Sequence, residues 1–549
     1  MIDQYLDELE TSKEDIKQSL INKGVTPTGG LTSYAEAVDS IKSNLGTATV
    51  SITKNGTQTI TAEEYGYDGM SKVDVTVKVA TGGSDKPQIF NGFRFTGGDI
   101  AQVDFSQYDW SLVYDTSEFF RNCYHSTGDW SNFEENFNGE ILPLKYMFGG
   151  TQTAQRAGVQ SLPNLGNKTA GITSTAYMCS LNPSLSDVST LSQWDTSKVT
   201  DASYMFGSDQ DSQQYNPKFT SVDLTGFGSP DGYEAKNMFK GCRFLESVIG
   251  TTLTLVGSAA SMFSYCDKLT AIPQLDTSNV SDMNGMFSNC TVLTTIPQLD
   301  TSNVTNMSSM FNYCSKLTTI PQLDTSNVTD MYTMFRSCSK LTTIPQMDTS
   351  NVTNMSYMFD LCSKLTSIPQ LDTSNVTNMY GMFYECYGLT TIPQLDTSNV
   401  TDVGRMFYQC SNLIELPDFN CVNVKSFGTA ATTSWLNGCT KLQKLGVVDC
   451  DSVTDIRYFF GGSVSNSLTD FGGCRNLGKS SSVSNTNSSY FMTMAPNLTY
   501  ESVMNVINGL YDRATAGLSV LTLKLHSNHL AMLSADDIVI ATNKGWTIV

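Results

Sequence analysis

Eight cysteines, Cys242, Cys266, Cys290, Cys314, Cys338, Cys362, Cys386 and Cys410, follow one another at a constant interval of 24 residues. The repeated unit, LDTSNVTNMSSMFNYCSKLTTIPQ, runs from Leu299 to Gln322, and near-copies open at Leu275, Leu323, Met347, Leu371 and Leu395. One such unit is too short to bury its own apolar side, so successive units must lie on one another and share a continuous core. At the ~4.8 Å spacing of neighbouring strands, the regular coils would span about 40 Å.

Within the unit, Val304, Met307, Met310, Phe311 and Cys314 fall at i, i+3, i+6, i+7 and i+10, the apolar stripe of a short helix. LTTIPQLD follows as an extended segment with Leu317, Ile320 and Leu323 turned inward. Pro321 lacks the N–H that a central strand donates and so limits the continuity of a sheet. Asp324 and Ser326 stand where helix N-caps belong. A 20- to 29-residue period with regular leucines is the signature of leucine-rich repeats. The fold expected is an α/β repeat: a leucine-rich-repeat solenoid of 24-residue coils, each a short strand plus a short helix.

Weaker copies extend the pattern on both sides at irregular intervals. They are Phe119-Phe120-Arg121-Asn122-Cys123, Tyr146-Met147-Phe148, Tyr204-Met205-Phe206 and Asn237-Met238-Phe239 upstream, and Trp435-Leu436 to Cys439 and Tyr458-Phe459-Phe460 downstream. The domain reading is a helical N-terminal segment over 1–45, a small β-rich module and linker over 46–84, and irregular coils over 85–240. The regular solenoid then covers 241–420, irregular coils 421–495 and an α/β C-terminal cap 496–549. In the N-terminal α+β module, TVSITKNGTQTI predicts a hairpin around Asn55-Gly56, and Thr81-Gly82-Gly83-Ser84 reads as a linker. The C-terminal stretch alternates helix and strand patterns and would close a core that a bare last coil leaves open.

Asp and Glu number 53 against 33 Lys and Arg, a net charge of −20, which disfavours nucleic acid and anionic membranes. The opening MIDQYLDELETSKEDIKQSL has neither the basic start nor the apolar run of a secretory leader, so no export signal is expected. No run of 18 apolar residues occurs, and membrane insertion is not expected. The cysteine ladder reads as buried, inert thiols, since free cysteine behaves as a small hydrophobe. Metal ligation is not expected: CxxC-like spacing is missing, and His526-x-x-His529 reads as a surface pair. The ladder Asp276, Asp300, Asp324, Asp348, Asp372 and Asp396 reads as caps, because the alternating oxygens of a calcium loop are lacking. Repeated Asn-Val-Thr sequons at Asn303 and Asn327 read as turn residues. No GxSxG, HExxH or P-loop is found, so neither enzyme nor cofactor is expected.

Variation among the copies is informative, because the core methionines and phenylalanines persist while their neighbours change. Those neighbours include Tyr313, Tyr332, Arg336, Tyr357, Tyr380, Tyr384, Tyr387, Arg405 and Tyr408. Tyrosine and arginine offer large contact area at small entropic loss, as binding surfaces require. Tyr332, Arg336, Tyr357, Tyr380, Tyr384, Arg405 and Tyr408 are therefore the candidate binding residues.

The run NVTNMSSMFNYCSKLTTIPQLDTS resembles the BspA-like leucine-rich-repeat family over roughly residues 115–480, most specifically in 270–420. That resemblance implies bacterial surface proteins that bind host or matrix proteins. The N-terminal segments SKEDIKQSLINKGVTPTGGLTSYAEAVDSI and ITKNGTQTITAEEYGYDGMSKVDVTV are similar to modules of phage tail and fibre proteins of gut bacteria. Taken together these predict a virion structural protein, a head or tail fibre assembled in the host cytoplasm. Its N-terminal region would bind other virion proteins and its solenoid a host-surface protein or glycan. A homo-oligomer is expected, as fibres commonly trimerise. The alternative is a cell-surface BspA-like adhesin.

Overall fold

The computed structural model describes residues 94–549 apart from 96–97, 114, 140, 142–143, 151–157, 209–216, 429–433, 457, 461–466, 484–491 and 494, together with the backbone of strands 48–52, 60–62, 75–77 and 88–90. The helices expected within 1–45 and the linker at 81–84 lie outside the described residues. The chain divides into two compact units, residues 1–93 with 107–112, and residues 94–106 with 113–549. In the first, Ala48–Ile52 pairs antiparallel with Ile60–Ala62, Val50 facing Ile60, and parallel with Val75–Val77. Gln88–Phe90 pairs parallel with Asp109–Leu112.

The second unit is a leucine-rich-repeat solenoid, a β-solenoid of about 12 turns with few helices. In the coil from Leu299 to Gln322, Val304, Met307, Met310, Phe311, Cys314 and Leu317 are all fully buried. The arm that carries them is not the short helix its spacing suggests. Ser309 and Tyr313 take left-handed backbone, φ 57° and 59°, and the same pair of positions recurs at Thr333 and Ser337, Tyr357 and Leu361, and Arg405 and Gln409. Between these residues the N–H groups alternate in direction. Met310, Asn312 and Cys314 donate to Met307, Ser309 and Phe311 within the coil, closing four-residue turns. Met307, Ser309, Phe311 and Tyr313 donate instead to the Asp330, Tyr332, Met334 and Arg336 carbonyls of the next coil, at 2.7–3.2 Å. A helix would spend every N–H inside its own coil. Turns closed by i→i+3 bonds leave half of them for the neighbour, and their three-residue step is what imitates helical spacing in the sequence.

On the other arm the backbone bonds thin out and side chains take over. Pro321 and its equivalents interrupt any ladder, and no strand is assigned across the IPQ segments of residues 285–411. The Gln298 amide donates to the Gln322 carbonyl at 2.7 Å, Gln322 to Gln346 at 2.7 Å and Gln346 to Gln370 at 2.8 Å. Asn327 donates to the Ser302 carbonyl, and Thr325 to that of Asp348. Asp324 and Ser326 are not helix caps, since no helix follows. Asp324 Oδ1 accepts from the Ser326 N–H at 3.0 Å and from its hydroxyl at 2.7 Å, an Asx turn that reverses the chain. Backbone pairing returns where Gly446 and Gly472 take the place that Pro417 holds one coil earlier: Lys444–Leu445 lies parallel between Glu415–Leu416 and Asp470–Phe471.

Phenylalanine and cysteine run through the core as columns. The rings of Phe239, Phe263, Phe287, Phe311, Phe335, Phe359, Phe383 and Phe407 stack at 5.5–5.8 Å, within 10° of parallel. From Cys266 to Cys410 each ladder thiol donates to the phenylalanine carbonyl of the preceding coil, as Cys314 to Phe287 at 3.0 Å and Cys338 to Phe311 at 3.1 Å. All fourteen cysteines are buried and unpaired in disulfides. Burial pushes the thiols of the ladder from Cys242 to Cys410 up, to about 12 at Cys314 and Cys410, so no nucleophilic thiolate forms there near neutral pH.

At the C-terminal end, helix Tyr500–Gly509 covers the strand Asp470–Phe471. Ser502 Oγ accepts the Phe471 N–H and Asn505 Nδ2 donates to its carbonyl, satisfying an edge that would otherwise be open. Strands Leu521–Leu523 and Trp546–Ile548 pair in parallel beyond it. His529 is fully buried rather than on the surface, because helix Ser527–Leu530 turns it inward.

Phe335→Ala should cost about 3–5 kcal/mol in urea unfolding, since a cavity opens inside a continuous column. Ser337, at φ 60° with a buried, unpartnered hydroxyl, should behave differently. Ser337→Gly should raise the thermal midpoint by relieving the ~1–2 kcal/mol that left-handed backbone costs a residue with a β-carbon, and Ser337→Val should lower it, because β-branching adds to that cost.

Candidate binding site

The turn arm fixes where variable residues stand. Between the core Met, Phe and Cys, each regular coil has four positions outside the core column, the two left-handed residues and the residue before each, which range from buried, as at Thr333 and Asp360, to exposed, as at Tyr313 and Tyr332. Because every coil repeats the same bonds, side chains at equivalent positions line up along the solenoid. Sequence variation therefore becomes a stripe, and the seven candidate residues lie in it.

Two adjoining groups make up the stripe. In the first, the Arg336 guanidinium lies 5.6 Å from both the Tyr313 and Tyr357 ring centres and pairs with Asp360 at 2.7 Å. Tyr357 meets Tyr332 edge-on at 6.4 Å and Tyr380 at 5.2 Å. In the second, Tyr384 and Tyr408 stack at 4.7 Å, with Arg405 at 6.0 Å from each ring. Tyr387 donates its hydroxyl to Glu385 at 2.7 Å. Tyr313, Tyr332 and Tyr387 are the most open, at 40%, 40% and 38% exposure. Burial and the neighbouring Tyr380 raise the Tyr357 phenol to about 12, so it stays a neutral hydrogen-bond donor.

Sequence reading missed a second row. Tyr146, Tyr177 and Tyr204 stack at 5.0 and 4.6 Å, and Arg121 lies 4.5 Å from the Tyr146 ring. Insertions of unequal length separate these coils, which hides the column in sequence. Only the recurring aromatic just before Met-Phe or Met-Cys, in Tyr146-Met147-Phe148, Tyr177-Met178-Cys179 and Tyr204-Met205-Phe206, could have disclosed it.

The opposite arm carries the aspartate ladder. Serine hydroxyls and N–H groups hold the Asp300, Asp324, Asp348 and Asp372 carboxyls below their usual range, which keeps the row ionised despite its like charges. Among the described residues no group of three or more His, Cys, Asp or Glu side chains could hold a metal ion, and no helix is long and apolar enough to cross a membrane.

Stacked coils with an inert core and one variable stripe define a leucine-rich-repeat protein. The family model described as "Mycoplasma protein of unknown function, DUF285" matches residues 143–270, 257–365 and 340–444, more than half of the chain, and the chain belongs to this family. No curated protein matches it. Among solved structures, a leucine-rich cell surface protein from Faecalibacterium prausnitzii is similar at 20% identity and TM-score 0.23, covering 45% of this chain and 82% of that one. An internalin from Listeria monocytogenes is similar at 14% identity and TM-score 0.20, covering 60% and 86%.

Asp360 gives the stripe a pH dependence. It is 1% exposed, and one carboxylate oxygen has no hydrogen-bond partner. Burial outweighs Arg336 and pushes its carboxyl up to about 6, whereas an unfolded aspartate titrates at about 3.9. The folded protein thus holds this proton more tightly than the unfolded chain does. Asp360's contribution to stability is complete below about pH 4 and is lost as pH rises through about 6. Asp360→Asn should gain on the parent chain in urea midpoint between pH 4 and 7. Parallel curves would place the titration elsewhere.

Proposed function

We propose that this chain is a binding protein of the adhesin type, which presents the tyrosine and arginine stripe to a surface ligand. The observation that carries the reading is the convergence of Tyr332, Arg336, Tyr357, Tyr380, Tyr384, Arg405 and Tyr408 into one stripe on a rigid scaffold. Core packing requires none of them, since other coils put Ser309, Asn312 or Gly404 at the same positions. Aromatic and arginine side chains fixed by the backbone lose little entropy when a ligand orders them. The BspA-like character of the repeats favours display on a bacterial cell surface.

A second reading, a virion fibre that docks through its N-terminal region and forms a homo-oligomer, has in its favour the likeness of the N-terminal segments to phage tail and fibre modules. Immunogold labelling of intact cells and of purified phage particles from the source separates the two settings.

The binding role is tested with beads coated by the full chain and offered to cultured epithelial cells and to bacterial cells. Replacing Tyr380 and Tyr384 together by Ala should cut adhesion at least about tenfold, the loss of one good aromatic contact. The thermal midpoint should stay unchanged. Undiminished adhesion by the variant would remove the stripe from the binding role.

A further inference from the structure

We propose that the stripe binds an extended, uncharged polysaccharide, with Tyr332, Tyr357 and Tyr380 in three successive coils as its stacking platforms. This rests on the stripe being the binding face and names its ligand.

These three tyrosines are laid down differently from the others. Each is followed one coil later, at the equivalent position, by a small residue: Ser356, Gly381 and Gly404. At Gly381 a β-carbon would stand 2.8 Å from two atoms of the Tyr357 ring, and at Gly404 it would stand 2.9 Å from the Tyr380 ring. The Tyr357 and Tyr380 rings therefore lie across the next coil's glycine, in space that a side chain there would fill. The three rings are also steeply inclined to one another, at 82° and 62°, so they do not close face to face. Tyr177 and Tyr204, at 7°, and Tyr384 and Tyr408, at 11°, cover each other's faces instead. Of these sets the first leaves ring surface for a ligand, whose C–H groups an electron-rich ring face attracts, while the Arg336 guanidinium occupies one side of Tyr357.

Composition narrows the ligand further. From coil 275–298 to coil 395–418, the four non-core positions of the turn arm contain one aliphatic residue, Leu361. The same positions hold two guanidiniums, Arg336 and Arg405, and two carboxylates, Asp360 and Glu385, so the stripe is locally neutral on a chain of net charge −20. A polyanion would be repelled at long range and gain nothing at contact. A neutral glycan is complementary in charge, and its hydroxyls can hydrogen-bond to the exposed phenol of Tyr332. One platform per coil also calls for a ligand that repeats along its length, as an extended polymer does and a folded protein surface does not.

The test is affinity electrophoresis of the full chain through gels containing mannan, laminarin or xyloglucan, with a heparin gel as the polyanion. Retardation is expected in at least one neutral gel and not in heparin. Tyr357→Ala and Tyr380→Ala should each weaken it at least about tenfold, while Tyr357→Phe, which keeps the ring, should stay within about twofold. Gly404→Ala should weaken it by displacing the Tyr380 ring, with the thermal midpoint unchanged. No retardation in all three neutral gels, stronger retardation in heparin, or equal damage from Tyr357→Phe and Tyr357→Ala would each overturn the proposal. Bead adhesion separates this failure from that of the binding role. Adhesion that is lost with Tyr380 and Tyr384 but survives periodate oxidation of the target surface leaves the binding role standing and removes the polysaccharide.

Discussion

The solenoid depends on one division of labour in the backbone. On the turn arm, alternate N–H groups close their own turn and reach the next coil, and two left-handed residues per coil make the alternation possible. Left-handed backbone costs about 1–2 kcal/mol at a residue with a β-carbon. Here Tyr, Arg, Leu and Glu accept it, because the inter-coil bonds and the core beneath over-determine the conformation. Everything else follows from the register those bonds impose: phenylalanine over phenylalanine, thiol under carbonyl, and the outward residues in line.

That register also explains how a repeat protein dispenses with a regular sheet. Proline in each IPQ segment removes a backbone donor where neighbouring coils would pair, and the glutamine, asparagine and threonine side chains supply hydrogen bonds across the gap. Such ladders need identical residues in successive coils, which is why the unit is copied so closely between Leu275 and Gln394. Where the copying relaxes, at Lys444–Leu445 and Asp470–Phe471, ordinary parallel strands return. The thiol column obeys the same logic: from Cys266 to Cys410 each Sγ–H reaches back one coil to a phenylalanine carbonyl, a structural task for these thiols.

A scaffold held this way is indifferent to what stands between its core residues, and that freedom is where recognition can develop. Tyrosines and arginines in adjacent coils meet because the register brings them together, although 24 residues separate them in the chain. Asp360 shows the limit of the freedom. Once covered by its neighbours, its carboxyl leans on Arg336 alone and titrates near 6.

By itself the sequence determined that this chain stacks into coils, since a unit repeated every 24 residues can bury its leucines, methionines and phenylalanines only against its own copies. It also marked Tyr332, Arg336, Tyr357, Tyr380, Tyr384, Arg405 and Tyr408 as the residues that vary over a constant core. It misrepresented the turn arm as a helix, because turns closed every three residues space apolar side chains almost as a helix does. Asp324 and Ser326 looked like caps for the same reason. Only the tertiary structure decided that the arm donates half its N–H groups to the next coil. The relations among the rings also arise there, with Tyr357 lying across Gly381, Tyr380 across Gly404, and Tyr146, Tyr177 and Tyr204 forming a second row. These relations belong to the spacing between coils, a distance set by hydrogen bonds that no single unit contains.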